Sequence, residues 1–129
     1  MIQFDPSLSA SPEFGIFGIP CKESEAKLIL VPVPWEVTTS YGAGASLGPS
    51  LIRNASSQID LFDLETGKSY EHGYFMQDIP QSLLEMNDQF KLKAQQVISL
   101  RTNMSTDSKK IESLCFEINQ ACDHMTNWV

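Results

Sequence analysis

Three glycines, Gly42, Gly44 and Gly48, stand in the pattern G-x-G-x-x-x-G between an apolar run and a Gly-Pro pair. A glycine-rich turn between strand and helix lets backbone N–H groups approach a phosphate, and dinucleotide sites use such a turn. Those sites need one residue fewer in the second gap and an acidic residue about twenty positions further on. Here the apolar run ends at Pro34, well before Gly42, and no Lys-Ser/Thr pair stands where a P-loop requires it. The glycines read instead as joints of a long loop, and the helix opening at Gly48-Pro49 offers N–H groups that could receive an anion. Glu36 is the one carboxylate in that loop at the end of the apolar run, where open α/β sheets bind ligands. The general reading of a loop carboxylate is a solvated or capping group, and a direct role is the narrower one.

The other reactive side chains form no constellation. His72 and His124 are the only histidines, and neither lies in a metal-ligand spacing. Asp123 and His124 are adjacent, but on a helix their side chains diverge by about 100°. Cys115 and Cys122, seven apart in a helical pattern, lie about 10.5 Å from each other along the axis, too far for a disulfide. With Cys21 they make an odd count, which favours free thiols, the two in the helix as core residues. The sequence therefore gives no catalytic residue and no metal ligand.

The elements that position these residues follow from periodicity. Residues 1–14 are polar and rich in Pro and Ser, a flexible arm or one laid along another surface. Residues 15–20 form a short apolar loop or edge strand, and 23–27 a turn or a single helical turn. Lys27 to Pro34 is the strongest strand pattern. Its apolar residues do not alternate, as in a strand covered on both faces in a parallel sheet, and Pro32 and Pro34 end it. The helix opening at Pro49 carries Leu51, Ile52, Ala55 and Ile59 on one stripe. Residues 73–76 suggest a second, short strand. From Gln81 a long helix places Leu83, Met86, Phe90, Ala94, Val97 and Arg101 at intervals of three or four. After a polar break at 102–108, Thr106, Asp107 or Ser108 caps a last helix with apolar residues from Ile111 to Val129. The fold class is α/β. One strong strand with long amphipathic helices leaves apolar stripes without partners, so the expectation is the N-terminal piece of a longer α/β chain, cut inside a helix.

The chain has 129 residues, 42% hydrophobic and 19% charged, which suits one globular domain. Sixteen acidic against nine basic side chains give a formal charge of −7. Nucleic-acid and anionic-membrane surfaces need clustered Lys and Arg, so neither partner is expected. The longest apolar stretch, Leu28 to Trp35, is far below the roughly twenty residues of a membrane span, and the N-terminus lacks signal-peptide regions. These features predict a soluble, cytoplasmic protein.

Residues 31–56, VPVPWEVTTSYGAGASLGPSLIRNAS, resemble the N-terminal signature of the ureohydrolase (arginase/agmatinase) family. The shared order is strand, Pro-aromatic-acid, Thr-Ser-Tyr, a Gly-bounded loop, Gly-Pro and Ile-Arg-x-Ala-Ser. The flanks Phe4-Asp5-Pro6, Phe17-Gly18-Ile19-Pro20, Glu25-Ala26-Lys27 and Gln58-Ile59-Asp60-Leu61-Phe62-Asp63 are similar to its agmatinase-like bacterial branch, and the detailed match covers roughly residues 4–78. The resemblance implies a three-layer α/β/α fold with a parallel sheet, commonly in homo-oligomers. It implies two divalent ions, usually Mn2+, that activate a water to attack a guanidino carbon and release urea. The three metal-ligand motifs of the family do not occur here, so the complete parent would be the hydrolase acting on a guanidino substrate, and this segment alone would be inactive.

By the same resemblance Trp35, Glu36, Thr38, Thr39, Ser40 and Tyr41 lie near the substrate entrance with a shaping role. Gly42, Gly44, Gly48, Pro49 and Arg53 serve structure, the last three fixing the first helix, with a subunit or loop contact open for Arg53. The alternative from another class is a small, acidic, helix-rich protein-interaction domain without catalysis.

Overall fold

A computed structural model describes residues 4–5, 10, 12–39 and 41–129; the remainder of the expected N-terminal arm, and Ser40, lie outside the described residues. The architecture is α/β: β1 (Leu28–Leu30), α1 (Gly48–Ser56), β2 (Tyr74–Met76), α2 (Gln81–Thr102) and α3 (Ser108–Trp128), with short 3-10 turns between. The chain divides into two units, Met1–Pro32 with Gly48–Ile79 and Val33–Leu47 with Pro80–Val129.

The first unit is built on the β1–β2 pair, which is parallel, with Leu28 opposite Tyr74, Ile29 opposite Phe75 and Leu30 opposite Met76. Parallel strands require a long crossover, and the one here contains α1. β1 is shorter than the apolar run 27–34 suggested. The Gln77 N–H closes the pairing on the Leu30 carbonyl at 3.0 Å, and prolines 32 and 34 have no N–H to extend it. Burial on both faces is not seen either: Leu28 and Ile29 are 48% and 42% exposed. Residues 15–20 form a 3-10 turn, Ile16–Gly18, rather than a strand. Ile16, Ile19 and Met76 are buried apolar side chains of this unit. The Phe17 ring meets Tyr74 edge-on at 5.4 Å.

α1 opens at Gly48-Pro49 as the sequence indicated, but its apolar stripe does not face inward. Leu51, Ile52, Ala55 and the following Ile59 are exposed, while Ser56 is buried and Arg53 half-buried. The reason is hydrogen bonding. Ser56 Oγ accepts from the Phe17 N–H at 2.9 Å and donates to the Arg53 carbonyl at 2.7 Å. Phe17 sits at φ 60°, a left-handed conformation costly for a non-glycine residue, and the Ser56 hydroxyl receives the N–H so oriented.

The second unit is a hairpin of α2 and α3 into which the loop 33–47 inserts. Val37 from the loop, Val97 from α2 and Ile118 from α3 form the buried centre, surrounded by Trp35, Phe90, Ala94, Ile111, Leu114, Cys115 and Cys122. Most of both helical stripes is therefore core, against the expectation that they lack partners: α2 and α3 pack on each other, while Arg101, Trp128 and Val129 are exposed. Asp107 is the residue that caps α3, accepting from the Lys110 N–H at 3.1 Å. Lys93 pairs with Glu117 and lies over the Phe90 ring at 4.7 Å from its centroid, tying α2 to α3 beside the core. Among the described residues no helix is long and apolar enough to cross a membrane.

Candidate functional site

The loop from Trp35 onward is organised by Glu36, which is 4% exposed. One carboxylate oxygen, Oε2, accepts from the Gly44 N–H at 2.6 Å and the Ser46 N–H at 3.1 Å. The other, Oε1, pairs with Lys91 of α2. The backbone of Glu36 is fixed as well: its N–H donates to Asn87 Oδ1 at 2.7 Å, and its carbonyl accepts from the Thr39 hydroxyl at 2.9 Å. A buried carboxyl group stays ionised only when its charge is paired and its oxygens are hydrogen-bonded. Lys91, followed by the amides of Ser46 and Gly44, lowers the Glu36 pKa to about 2. Such a group is a fixed anion rather than a proton acceptor at neutral pH, so its chemistry is to hold the loop.

The loop then turns outward. Trp35 is half-buried against the core, Val37 is inside it, and Thr38, Thr39 and Tyr41 are exposed, Tyr41 at 99%. Gly42 and Gly44 adopt φ 73° and 122° with open space where a side chain would stand, so backbone conformation, not crowding, requires glycine there. Gly48 needs neither. Thr38 and Thr39 also border an apolar hollow of about 320 Å³ with Val97, Ile98, Cys115 and Ile118.

Pro49 and Arg53 lie in the other unit, within α1. Arg53 Nη2 donates to the carbonyls of Met76 at 3.1 Å and Gln77 at 2.7 Å, so the arginine ties α1 to the end of β2. Sequence reading did not identify Asn87 and Lys91. Their signal was a polar pair one turn apart, with Asn87 four residues after the core residue Leu83 on the inward face of α2.

His72, Asp123 and His124 are exposed, and among the described residues no group of three His, Cys, Asp or Glu side chains could hold an ion. Cys21, Cys115 and Cys122 are free thiols.

The sequence over residues 26–121 matches the model of the arginase family, a span that holds the whole loop, α1, both strands' residues and α2. The chain belongs to the arginase family. Two curated relatives carry the name N(1)-aminopropylagmatine ureohydrolase. The one from Synechocystis sp. (strain ATCC 27184 / PCC 6803 / Kazusa) is 41% identical over 49 residues, 38% of this chain. The one from Thermococcus kodakarensis (strain ATCC BAA-918 / JCM 12380 / KOD1) is 47% identical over 41 residues, 32% of this chain. These matches span only 16% and 14% of the relatives' own lengths. No solved structure matches the chain.

Proposed function

We propose that this chain is the N-terminal, loop-bearing part of an agmatinase-like ureohydrolase, in which residues 35–41 shape the approach of a guanidino substrate. The observation that carries the reading is the arginase-family match over residues 26–121, which includes a loop held by a buried carboxylate. The relatives' names point to a guanidino compound with a polyamine tail as the substrate class. Hydrolysis needs an activated water, which in the family reading two Mn2+ ions supply. Among the described residues no group of three His, Cys, Asp or Glu side chains could hold those ions; in this proposal the donors come from other parts of the parent enzyme, and no step is assigned to them in this chain. The parent is a cytoplasmic homo-oligomer in this proposal.

Calorimetry with Mn2+ on the 129-residue chain, alongside urea release from agmatine and N1-aminopropylagmatine, tests the reading. The expected result is neither stoichiometric binding nor urea from this chain, with both present in a complete parent enzyme carrying this segment. Tight stoichiometric Mn2+ binding by the chain, or a complete parent that releases no urea from any guanidino compound, would overturn it.

A further inference from the structure

The Glu36 cluster does more than fill space. The carboxylate joins residue 36 to residues 44 and 46, so 37–43 become the body of a loop with a closed neck. Both α2 contacts come from one helical turn, Asn87 to the backbone and Lys91 to the side chain, which docks the neck on a rigid element. Neck and tip differ sharply in environment. Glu36 and Val37 are buried, while Thr38 and Tyr41 face outward. An apolar pair of similar volume commonly stabilises a fold as well as a buried ion pair does, so stability alone is a weak account of Glu36 and Lys91. What the ion pair adds is direction. An anion placed between two amides and an ammonium holds the 44–46 backbone with its N–H groups inward, with Gly44 at its positive φ, more strongly than a neutral acceptor would.

We infer that Glu36, held by Lys91, is a positioning residue that sets the conformation of the 37–43 loop before substrate arrives, so that the outward side chains Thr38 and Tyr41 meet the guanidino substrate preordered. This rests on the proposed ureohydrolase reading for the identity of the substrate; the latch itself does not. A loop ordered in advance loses little entropy on binding, so its loss should appear in KM and leave the chemical step alone.

The test has two arms. The first measures hydrogen exchange at the Gly44 and Ser46 amides in the 129-residue chain, with Val97 and Ile118 amides reporting the core of the same unit. Glu36→Gln and Lys91→Met should each lower protection at Gly44 and Ser46 about tenfold or more, Val97 and Ile118 should keep theirs, and Lys91→Arg should restore the loop. Unchanged protection at Gly44 and Ser46 in both variants would overturn the latch. So would an equal loss at Val97 and Ile118 in both, since the pair would then serve the whole unit rather than the loop. The second arm reads urea release by a complete ureohydrolase carrying the segment. Glu36→Gln should raise KM about tenfold with kcat within about a factor of two, and Lys91→Met should follow it. A fall in kcat at unchanged KM would overturn the positioning role. If the unsubstituted enzyme released no urea, the ureohydrolase reading would fail, and the exchange arm would still decide the latch.

Discussion

Arg53 makes the strongest stability prediction. Its Nη2 donates to two consecutive carbonyls at the end of β2, Met76 at 3.1 Å and Gln77 at 2.7 Å, while its Nη1 lies 3.6 Å from the fully exposed carboxylate of Asp78. Hydrogen bonds from a charged donor contribute about 1.5–3 kcal/mol each. The Arg53 side chain is 29% exposed, so water can replace part of what is lost, and the low end applies. Arg53 Nε is also buried without an acceptor among the described residues, which offsets some of the gain. Arg53→Ala should therefore destabilise the first unit by about 2 kcal/mol. Asp78→Ala should cost less than about 0.5 kcal/mol, because an exposed ion pair at that distance contributes little. Arg53→Lys should recover less than half, since an ammonium cannot present the planar fork. Native-state hydrogen exchange at the β2 amides, read across a urea series, gives all three values. Equal losses in Arg53→Ala and Asp78→Ala would refute the carbonyl argument, as would full protection in Arg53→Lys.

Three further outcomes follow from the same physics. The Glu36 carboxyl is lowered from 4.5 to about 2, first by Lys91 and then by the Ser46 and Gly44 amides, so its charged form favours the folded loop. The loop's stability should be constant above pH 4.5 and decline as pH falls toward 2; the Gly44 amide shift should titrate near 2, flat in Glu36→Gln, and titration near 4.5 would refute the pairing. Ile118→Ala removes a buried side chain from the α2–α3 centre and should cost about 2–4 kcal/mol in denaturant unfolding followed by Trp35 fluorescence, whereas a loss under about 1 kcal/mol would show the site collapses freely. Gly73 has φ 75°, and a Cβ there would stand 2.9 Å from Cys21 Sγ and 3.2 Å from the Glu25 carbonyl. Gly73→Ala should destabilise the first unit by more than about 1 kcal/mol, measured by exchange at the neighbouring Tyr74 amide, and a neutral result would mean the turn relaxes.

Much of this protein was written locally. The spacing of Leu83, Phe90, Ala94 and Val97, and of Ile111, Leu114, Ile118 and Ala121, specified α2 and α3 as helices with one apolar stripe each, although not that the two bury those stripes on each other. Pro32, Pro34 and Gly48-Pro49 set where β1 could no longer pair and where α1 began, since each acts through its own φ or missing N–H. The order of residues 31–56 carried the arginase-family resemblance without any tertiary information.

Only the tertiary structure decided the rest. Apolar spacing placed Leu51 and Ile52 on one stripe of α1; in the fold Ser56 and Arg53 turn inward instead, because Phe17 and the end of β2 present backbone groups that only polar side chains satisfy. The same holds for Glu36. Its residue type and loop position left a solvated, capping or direct role open, and its role as a buried anchor depends on Lys91 and Asn87, 55 and 51 residues away. Helix and strand periods are local and readable from the chain. A buried charge is defined by partners that folding brings to it, and no spacing along the sequence encodes that distance.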